Sequence, residues 1–529
     1  MQSVKTERSK YFQNIFKDII LRYGPQDNGG LKAGNGFYGQ SANNHSFLYS
    51  KQFLTKDRVM ASKEKVAELK HKHKLLVEAI RKIPIPSLDL FKGDGIVLAA
   101  SPQHFTGALN IVVQVREMGS KLPVEIIMDS KMDYNKQLCE DTLPRLNGRC
   151  LIIEEVIGLE AFYKRKLDGF QYKALAILVS SFDNTIFLDS DSFPIKNVDT
   201  LLESNSFQKT KFLLWRDFWH KSTSPLFYEI AGIKTGEIAH RHGLLNEKPF
   251  SLYMAKNVDT EVLFHDLDGL PSMYTVESGQ MVFSKREHFR SLVLASYYNY
   301  YGAMYYYELI YQGNFGAGDK DTFVPALHIM KEPYTITEYP ALSGGNKIPA
   351  DNDDGFEIDE TTIVQVDPDE AASHQEKWRE WLRKQGMDKR LNLCQQGMFT
   401  RKLRTQFYLT VEGSDGKMPT AFFLHVHNPK INSFANENPK LRQYDFKHRF
   451  IRAIGDFQDL MGPVDWELKF HSINAWITCV GLNDKYFWAQ HDLKLDEICK
   501  KTKDYVEVLK ESSNDESAAH LKSIQNWDE

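Results

Sequence analysis

The sequence predicts an α/β protein built on a mostly parallel sheet flanked by helices. Two observations carry this reading. Short apolar runs of buried-strand length alternate with stretches of helical period between residues 94 and 190, and that alternation marks βαβ units. One run, Asn184-Thr-Ile-Phe-Leu188, ends on two acids one residue apart, Asp189 and Asp191. Open α/β sheets bind their ligands beyond such strand ends.

The elements follow in chain order. Residues 1–90 read as an N-terminal, helical, stem-like region. Asn28 to Gln40 is a Gly-rich loop, and Lys56 to Lys82 sets Val59, Val66, Leu69, Leu75, Leu76 and Ile80 among many charges. That spacing predicts an amphipathic helix ended by Pro84 and Pro86. Residues 91–435 carry the sheet. Gly95 to Ala100, Leu122 to Met128, Cys150 to Glu154 and Thr185 to Leu188 read as strands, with helices over Gly107 to Met118 and Phe170 to Ser180. Residues 343–360 read as an exposed loop. A helix follows, with Asp367 at the N-cap, Pro368 at N1, Glu370 completing a capping box and Gly386 ending it. Loop and helix together form an insertion at about 343–390. Strand-like runs return at Gln406 to Val411 and Ala421 to His427. Residues 436–529 read as an extension packed on the catalytic part, with a polar tail from Glu511 that frays.

Composition narrows the function classes. The 529 residues are 42% hydrophobic and 26% charged, with a net charge of −4. No basic field draws the chain to nucleic acid. No run approaches the ~20 apolar residues of a membrane helix, and Met1 to Asp18 lacks a signal-peptide core. The chain reads as soluble, or as one whose anchor has been removed. The five cysteines, Cys139, Cys150, Cys394, Cys479 and Cys499, include no C-x-x-C pair. Cys139 with Cys150, and Cys479 with Cys499, can each close a short loop, but sequence does not establish the pairing. Asn44-His45-Ser46 is a glycosylation acceptor triplet, a common chance pattern.

The chemistry centres on Asp189-Ser190-Asp191. Two carboxylates at a strand exit suit one hard divalent cation, Mn²⁺ or Mg²⁺, which neutralises a diphosphate leaving group. The D-x-D pattern recurs at Asp266, Asp319, Asp351 and Asp367; only the first follows an apolar strand inside the βα region. The alternative is two solvated acids in a turn.

In the stretch from Tyr172-Lys173 to Phe182-Asp-Asn-Thr-Ile-Phe-Leu-Asp-Ser-Asp-Ser-Phe-Pro194, the chain resembles the core of GT-A glycosyltransferases, whose fold binds nucleotide sugars. More narrowly, it is similar to the fungal Golgi α-mannosyltransferases of glycosyltransferase family 71. Trp215-Arg-Asp-Phe-Trp219, Glu277-Ser-Gly-Gln-Met-Val-Phe283, Tyr297-Tyr-Asn-Tyr-Tyr-Gly302, Gly316-Ala-Gly-Asp-Lys-Asp-Thr-Phe323 and His425-Val-His-Asn-Pro-Lys430 extend the resemblance over roughly residues 90–435. It implies a metal-dependent, retaining transfer of mannose from GDP-mannose to a mannan or N-glycan acceptor. The α-1,2 enzymes that branch the α-1,6-mannan backbone are the nearer match. It also implies Golgi lumenal residence and an N-terminal membrane anchor absent from this chain. An α-1,3 enzyme, another GT-A transferase and a non-catalytic mannan-binding protein are the alternatives.

Individual roles follow. Ser101 and Gly107 flank the first strand-to-helix turn, the usual place of nucleotide contact. Lys173, sixteen residues before Asp189, is placed to offset phosphate charge; a helix-surface lysine is the plain alternative. Ser190 belongs to the donor-binding turn. His425 and His427 flank Val426 in a strand-like run; His427, before Asn-Pro-Lys430, better resembles the late metal-ligand histidine of related enzymes, with His425 the other choice. Glu277 and Asp319 are the candidate catalytic acids near the reacting carbon, against a strand-edge salt bridge and a helix N-cap. Trp215, Asp217 and Trp219 are expected as a sugar rim, against an aromatic core cluster. No residue is unambiguously a nucleophile, which favours transfer on one face of the sugar over a covalent intermediate.

Overall fold

Four of the apolar runs form adjacent strands, three of them largely buried and one at the sheet's edge. They are β1 (Asp94–Ala99), β2 (Val124–Met128), β3 (Gly148–Ile152) and β4 (Asn184–Leu188). β2 is buried throughout, so apolar residues lie on both its faces, and its one acid, Glu125, is buried accepting from Arg149 and Ser181. The structure, a computed structural model, describes residues 2–32, 49–56, 58–86, 90–239, 257–272, 274–314, 316–337, 339–349, 356–384, 418–455 and 461–527.

Further strands are β5 (Ser192–Pro194), β6 (Phe212–His220), β7 (Tyr274–Ser284), β8 (Thr335–Thr337), β9 (Leu342–Pro349), β10 (Phe356–Val366) and β11 (Ala421–Val426). One seven-stranded sheet has the order β8-β6-β7-β4-β1-β2-β3. Its pairs are parallel except that β7 runs antiparallel to β4 and β6. A second, antiparallel sheet has the order β9-β10-β11-β5. The turn Asp189-Ser190-Asp191 leaves β4 in the first sheet and enters β5 in the second.

Helices used below are α1 (Lys63–Arg81), α2 (Phe105–Glu117), α3 (Gln171–Val179), α4 (Lys285–Tyr300), α5 (Pro368–Lys384), α6 (Trp466–Trp476) and α7 (Leu495–Glu511). α1 starts later than the charge pattern suggests because Ser62 caps it, accepting from the Lys65 amide at 3.1 Å. Its buried face meets the tyrosine-rich α4, where Tyr298 hydroxyl lies 2.7 Å from His73 Nε2. α6 packs on α2, and Asn110 donates to the Phe470 carbonyl at 3.1 Å.

Three expectations are corrected. Residues 343–360 are not a plain loop: the backbone pairs as β9 and β10, with a register shift at Gly344/Gly345. Glycine accommodates such a bulge, which hides the strand from a propensity reading. The capping box at Asp367 forms only half. Asp367 accepts from the Glu370 amide at 3.3 Å, but the Glu370 carboxylate turns to the Thr420 amide at 2.7 Å and to Lys196. The tail does not fray up to residue 527. Ser523 donates to Glu117 at 2.6 Å, and Ala518 and Ile524 are buried. Asn44-His45-Ser46, Asp351, Asp353, Gly386, Cys394, the run Gln406 to Val411 and most of the loop Asn28 to Gln40 lie outside the described residues.

Both short-range cysteine pairs are disulfides, Cys139–Cys150 and Cys479–Cys499, across 11 and 20 residues. Replacing either pair by serine is expected to cost about 3 kcal/mol through the freed unfolded chain. Denaturant melts with and without reductant check this, and a reductant-insensitive midpoint would contradict it.

Candidate active site

The acidic turn is assembled by register rather than by sequence proximity. β7 is antiparallel, so its early residues, Glu277 to Gly279, lie beside the carboxyl end of β4. The Leu188–Gln280 pairing and the Asp189 amide on the Gly279 carbonyl at 2.7 Å fix this. On the other side β11 pairs with β5, setting His425 opposite Ser192. The Val426 amide donates to the Asp191 carbonyl at 2.9 Å. α3 begins at the same edge and delivers Lys173 from its first turn.

Lys173 is the hub. Its ammonium lies 2.6 Å from Asp189 Oδ2 and 3.1 Å from Asp319 Oδ2, and donates to Ser278 Oγ at 3.0 Å. Ser278 Oγ in turn donates to Asp319 at 3.0 Å. Burial, which disfavours its charge, is overcome by Asp189 and Asp319, so Lys173 stays charged above the ordinary lysine range. Burial pushes the Asp189 carboxyl up to about 6, with Asp191 and Asp319 adding to it and Lys173 opposing.

Asp191 has the opposite balance. His425 Nε2 stands 3.3 Å from its Oδ1 and Lys430 Nζ 2.6 Å from its Oδ2. Against the cost of burial, these two cations hold its carboxyl far below the usual range. His425 Nδ1 is 3.3 Å from Glu277 Oε2 but lacks hydrogen-bond geometry to it. Despite burial, Glu277 and Asp191 raise the His425 pKa well above the ordinary value. Glu277, buried yet facing His425, sits at about 2; its other oxygen accepts from the Gly279 amide at 2.8 Å.

Two glycines set the approach distances. A Cβ at Gly279 would stand 3.3 Å from His425 Nδ1 and 3.2 Å from Glu277 Oε1. A Cβ at Gly107 would stand 2.8 Å from the Ser190 carbonyl. Gly107 therefore lets α2 butt against the acidic turn. Ser101 Oγ is 2.9 Å from His104 Nδ1, and burial followed by the charge of Lys430 lowers the His104 pKa. The first strand-to-helix turn thus reaches the same edge.

The structure gathers Lys173, Asp189, Ser190, Asp191, Glu277, Asp319 and Gly107 around one point. It does not bring His427 there: β11 ends at Val426, and His427 beyond it faces Glu360, Nε2 at 4.0 Å, while His425 within the strand meets Asp191. Trp215 is not on a rim. It is fully buried, with its indole donating to the Val366 carbonyl at 2.9 Å, because β6 is covered on that face. Asp217 is buried and paired with Lys320. Trp219 is half-buried beside Gly316. Lys430 was missed by the sequence reading of roles; its place two residues beyond the Asn428–Pro429 bond, in a segment that already drew attention, was the available signal.

The donor set was tested against a divalent cation. Among the described residues no ready-made group of three His, Cys, Asp or Glu side chains stands at ligand spacing. Asp189, Asp191 and His425 are nonetheless two carboxylates and one imidazole at the turn, with His425 beside Asp191. His425 carries a buried nitrogen without a hydrogen bond. Lys430, paired with the other Asp191 oxygen, is 46% exposed. In kind, these residues fit a hard divalent ion.

A mostly parallel α/β sheet with an acidic D-x-D turn at its ligand-binding edge defines a glycosyltransferase of the GT-A type. The chain belongs to a mannosyltransferase family: residues 93–367 match the family model described as "Mannosyltransferase putative". It is 37% identical to the α-1,2-mannosyltransferase MNN26 of Candida albicans, over 97% of this chain and 70% of that protein. It is 34% identical to the α-1,2-mannosyltransferase MNN2 of the same organism, over 62% of this chain and 58% of that one. Among solved structures, the glycosyltransferase GlyE of Streptococcus pneumoniae aligns with a TM-score of 0.26 and 10% identity, over 46% of this chain and 45% of that chain.

Removing the hub cation tests this electrostatic reading. Lys173→Met leaves Asp189 and Asp319 buried without their partner and is expected to cost about 3–5 kcal/mol. Adding Asp319→Asn should recover part of that loss. A double-mutant cycle by urea melts measures the coupling, and strict additivity would contradict the hub.

Proposed function

We propose that this protein transfers mannose from GDP-mannose to an α-mannoside, forming α-1,2 linkages with retention of configuration on the α-1,6-mannan backbone of N-glycans. The observation that carries the reading is the acidic turn flanked by two lysines, in a chain whose relatives are named α-1,2-mannosyltransferases. The site concentrates opposite charges in a buried place where a diphosphate can be received and released.

Asp189, Asp191 and His425 would hold a divalent cation, Mn²⁺ or Mg²⁺, which supplies charge neutralisation for the diphosphate when bound. The protein's own groups do the rest. Lys173 and Lys430 are fixed cations on two sides of the turn, placed to stabilise charge that develops on the leaving group. Glu277 and Asp319, ordered by Gly279, Ser278 and Lys173, are placed to orient sugar hydroxyls. In the transfer, the bond from the anomeric carbon to the phosphate oxygen breaks and a bond to the acceptor hydroxyl oxygen forms on the same face. The departing diphosphate takes the acceptor proton. Asp319 is held by Lys173 and Ser278, which supports a positioning role over that of a nucleophile.

Two disulfides suit an oxidising compartment, which supports a Golgi lumenal setting. Among the described residues no helix is long and apolar enough to cross a membrane.

The test is transfer by purified protein with Mn²⁺, GDP-mannose and an α-1,6-mannobiose acceptor, with UDP-sugars in parallel. Metal-dependent mannosyl transfer is expected, lost by more than about a hundredfold in Asp189→Ala/Asp191→Ala. Linkage analysis of the product should show α-1,2 bonds. Transfer from a UDP-sugar alone would point to a different glycosyltransferase, and mannan binding without transfer would point to a binding protein. A second comparison concerns the two histidines. His425→Ala is expected to lower activity by at least about tenfold relative to His427→Ala; the reverse order would return the ligand role to His427.

A further inference from the structure

Beside the acidic turn lies a surface that the chemistry above leaves unused. Phe170 and Tyr163 are 61% and 62% exposed. Single exposed hydrophobics are ordinary, but exposed rings beside a site need an explanation. Phe170 is the residue before α3, one turn ahead of Lys173. A Cβ on Gly318 would stand 3.1 Å from the Phe170 ring, so that ring lies on the backbone of the Gly316 to Asp319 turn that supplies Asp319. Tyr163 is linked to the start of α3 through packed rings. Its centroid is 5.0 Å from that of Phe162, which is 6.2 Å from that of Tyr172 on α3.

The polar groups here are mostly carboxylates. Tyr163 hydroxyl donates to Glu154 Oε1 at 3.3 Å. Burial, with Asp129, Asp133 and Asp168, raises the pKa of the neighbouring Tyr172 hydroxyl. Lys131, Lys164 and Lys166 are exposed nearby in sequence. Flat apolar rings beside carboxylate acceptors suit a neutral polyol rather than a nucleic acid or an acidic lipid. The apolar face of a pyranose lies on a ring while its hydroxyls donate to the acids.

We infer that Phe170 and Tyr163 form an acceptor platform, an extended subsite that holds the neutral oligomannoside chain outside the reacting sugar. The inference rests on the mannosyl-transfer reading and adds the place where the acceptor's length is felt. The platform runs into the site through the Gly316 to Asp319 turn, so a chain stacked on Phe170 presents its next residue toward Asp319 and Glu277. Trp219, half-buried on the far side of Gly316, borders the same turn.

The test is calorimetric titration of α-1,6-mannotetraose and of methyl α-mannoside into the whole chain, with Mn²⁺ and GDP present. Phe170→Ala and Tyr163→Ala are compared with Phe446→Ala, a change at an 86% exposed ring elsewhere. Melting temperatures show that each variant is folded. The tetraose Kd is expected to rise about tenfold in Phe170→Ala, and further with Tyr163→Ala added. The monoside Kd should rise less than twofold, Phe170→Trp should retain the affinity, and Phe446→Ala should match the parent. Unchanged tetraose affinity in the double variant, with a parent that binds it, overturns the platform alone. Equal losses for monoside and tetraose also overturn it, because they place Phe170 at the reacting sugar. A parent that binds neither mannoside overturns both the platform and the mannosyl-transfer reading. Capture of a protein partner by the parent but not by Phe170→Ala, without mannoside binding, would make the surface a protein-docking site instead.

Discussion

The site depends on one ammonium group. Lys173 touches Asp189 on β4 and Asp319 on a distant turn, and donates to Ser278 on β7. Without it, three carboxylates in contact with one another's fields would share a buried edge, and burial would drive protons onto them. With it, the turn, the antiparallel strand and the Gly316 to Asp319 segment are tied at a single point. An isolated buried salt bridge is weak support for stability. Here the pairing instead fixes where three chain segments meet, which is what a transfer site requires.

The same electrostatics divide the two acids of the turn. Burial, with Asp191 and Asp319 adding to it, raises the Asp189 carboxyl to about 6 against the pull of Lys173, whereas His425 and Lys430 keep Asp191 ionised. The pair is thus asymmetric before any ligand arrives. Fixed cations that the fold has already desolvated need little reorganisation when charge appears on a leaving group. The lysine on Asp191 is half in solvent, while the lysine on Asp189 is buried.

The second sheet makes this possible. β5 is only three residues long, yet it carries the chain out of the acidic turn and accepts β11 as a partner. β11 could not reach Asp191 if β9 and β10 were loop, because β10 is its other neighbour. The hairpin between residues 342 and 366 is thus the support behind His425. The C-terminal helices then cover α2 from outside, through Asn110 on Phe470 and Ser523 on Glu117, holding the helix whose Gly107 touches the turn.

Local sequence determined the parallel half of the molecule and the acidic turn. Apolar runs buried on both faces leave a continuous signal, and a strand ending on Asp189 and Asp191 places its carboxylates by itself. Lys173, one helix upstream, was legible for the same reason: a short βα connection fixes which end of the helix meets the strand. Tertiary structure decided what lies across the turn. Which histidine faces inward follows from where β11 ends: sequence resemblance favoured His427, but His425 is paired within the strand against β5, whereas His427 lies beyond it and turns to Glu360. Trp215 looked like a rim residue because its segment is aromatic, but the face of a strand is set by what packs on it. The hairpin behind β11 escaped notice because its glycines and acids read as a loop until a neighbouring strand supplies the hydrogen bonds. Contacts between residues a hundred or more positions apart carry no local pattern, and most of this site is made of them.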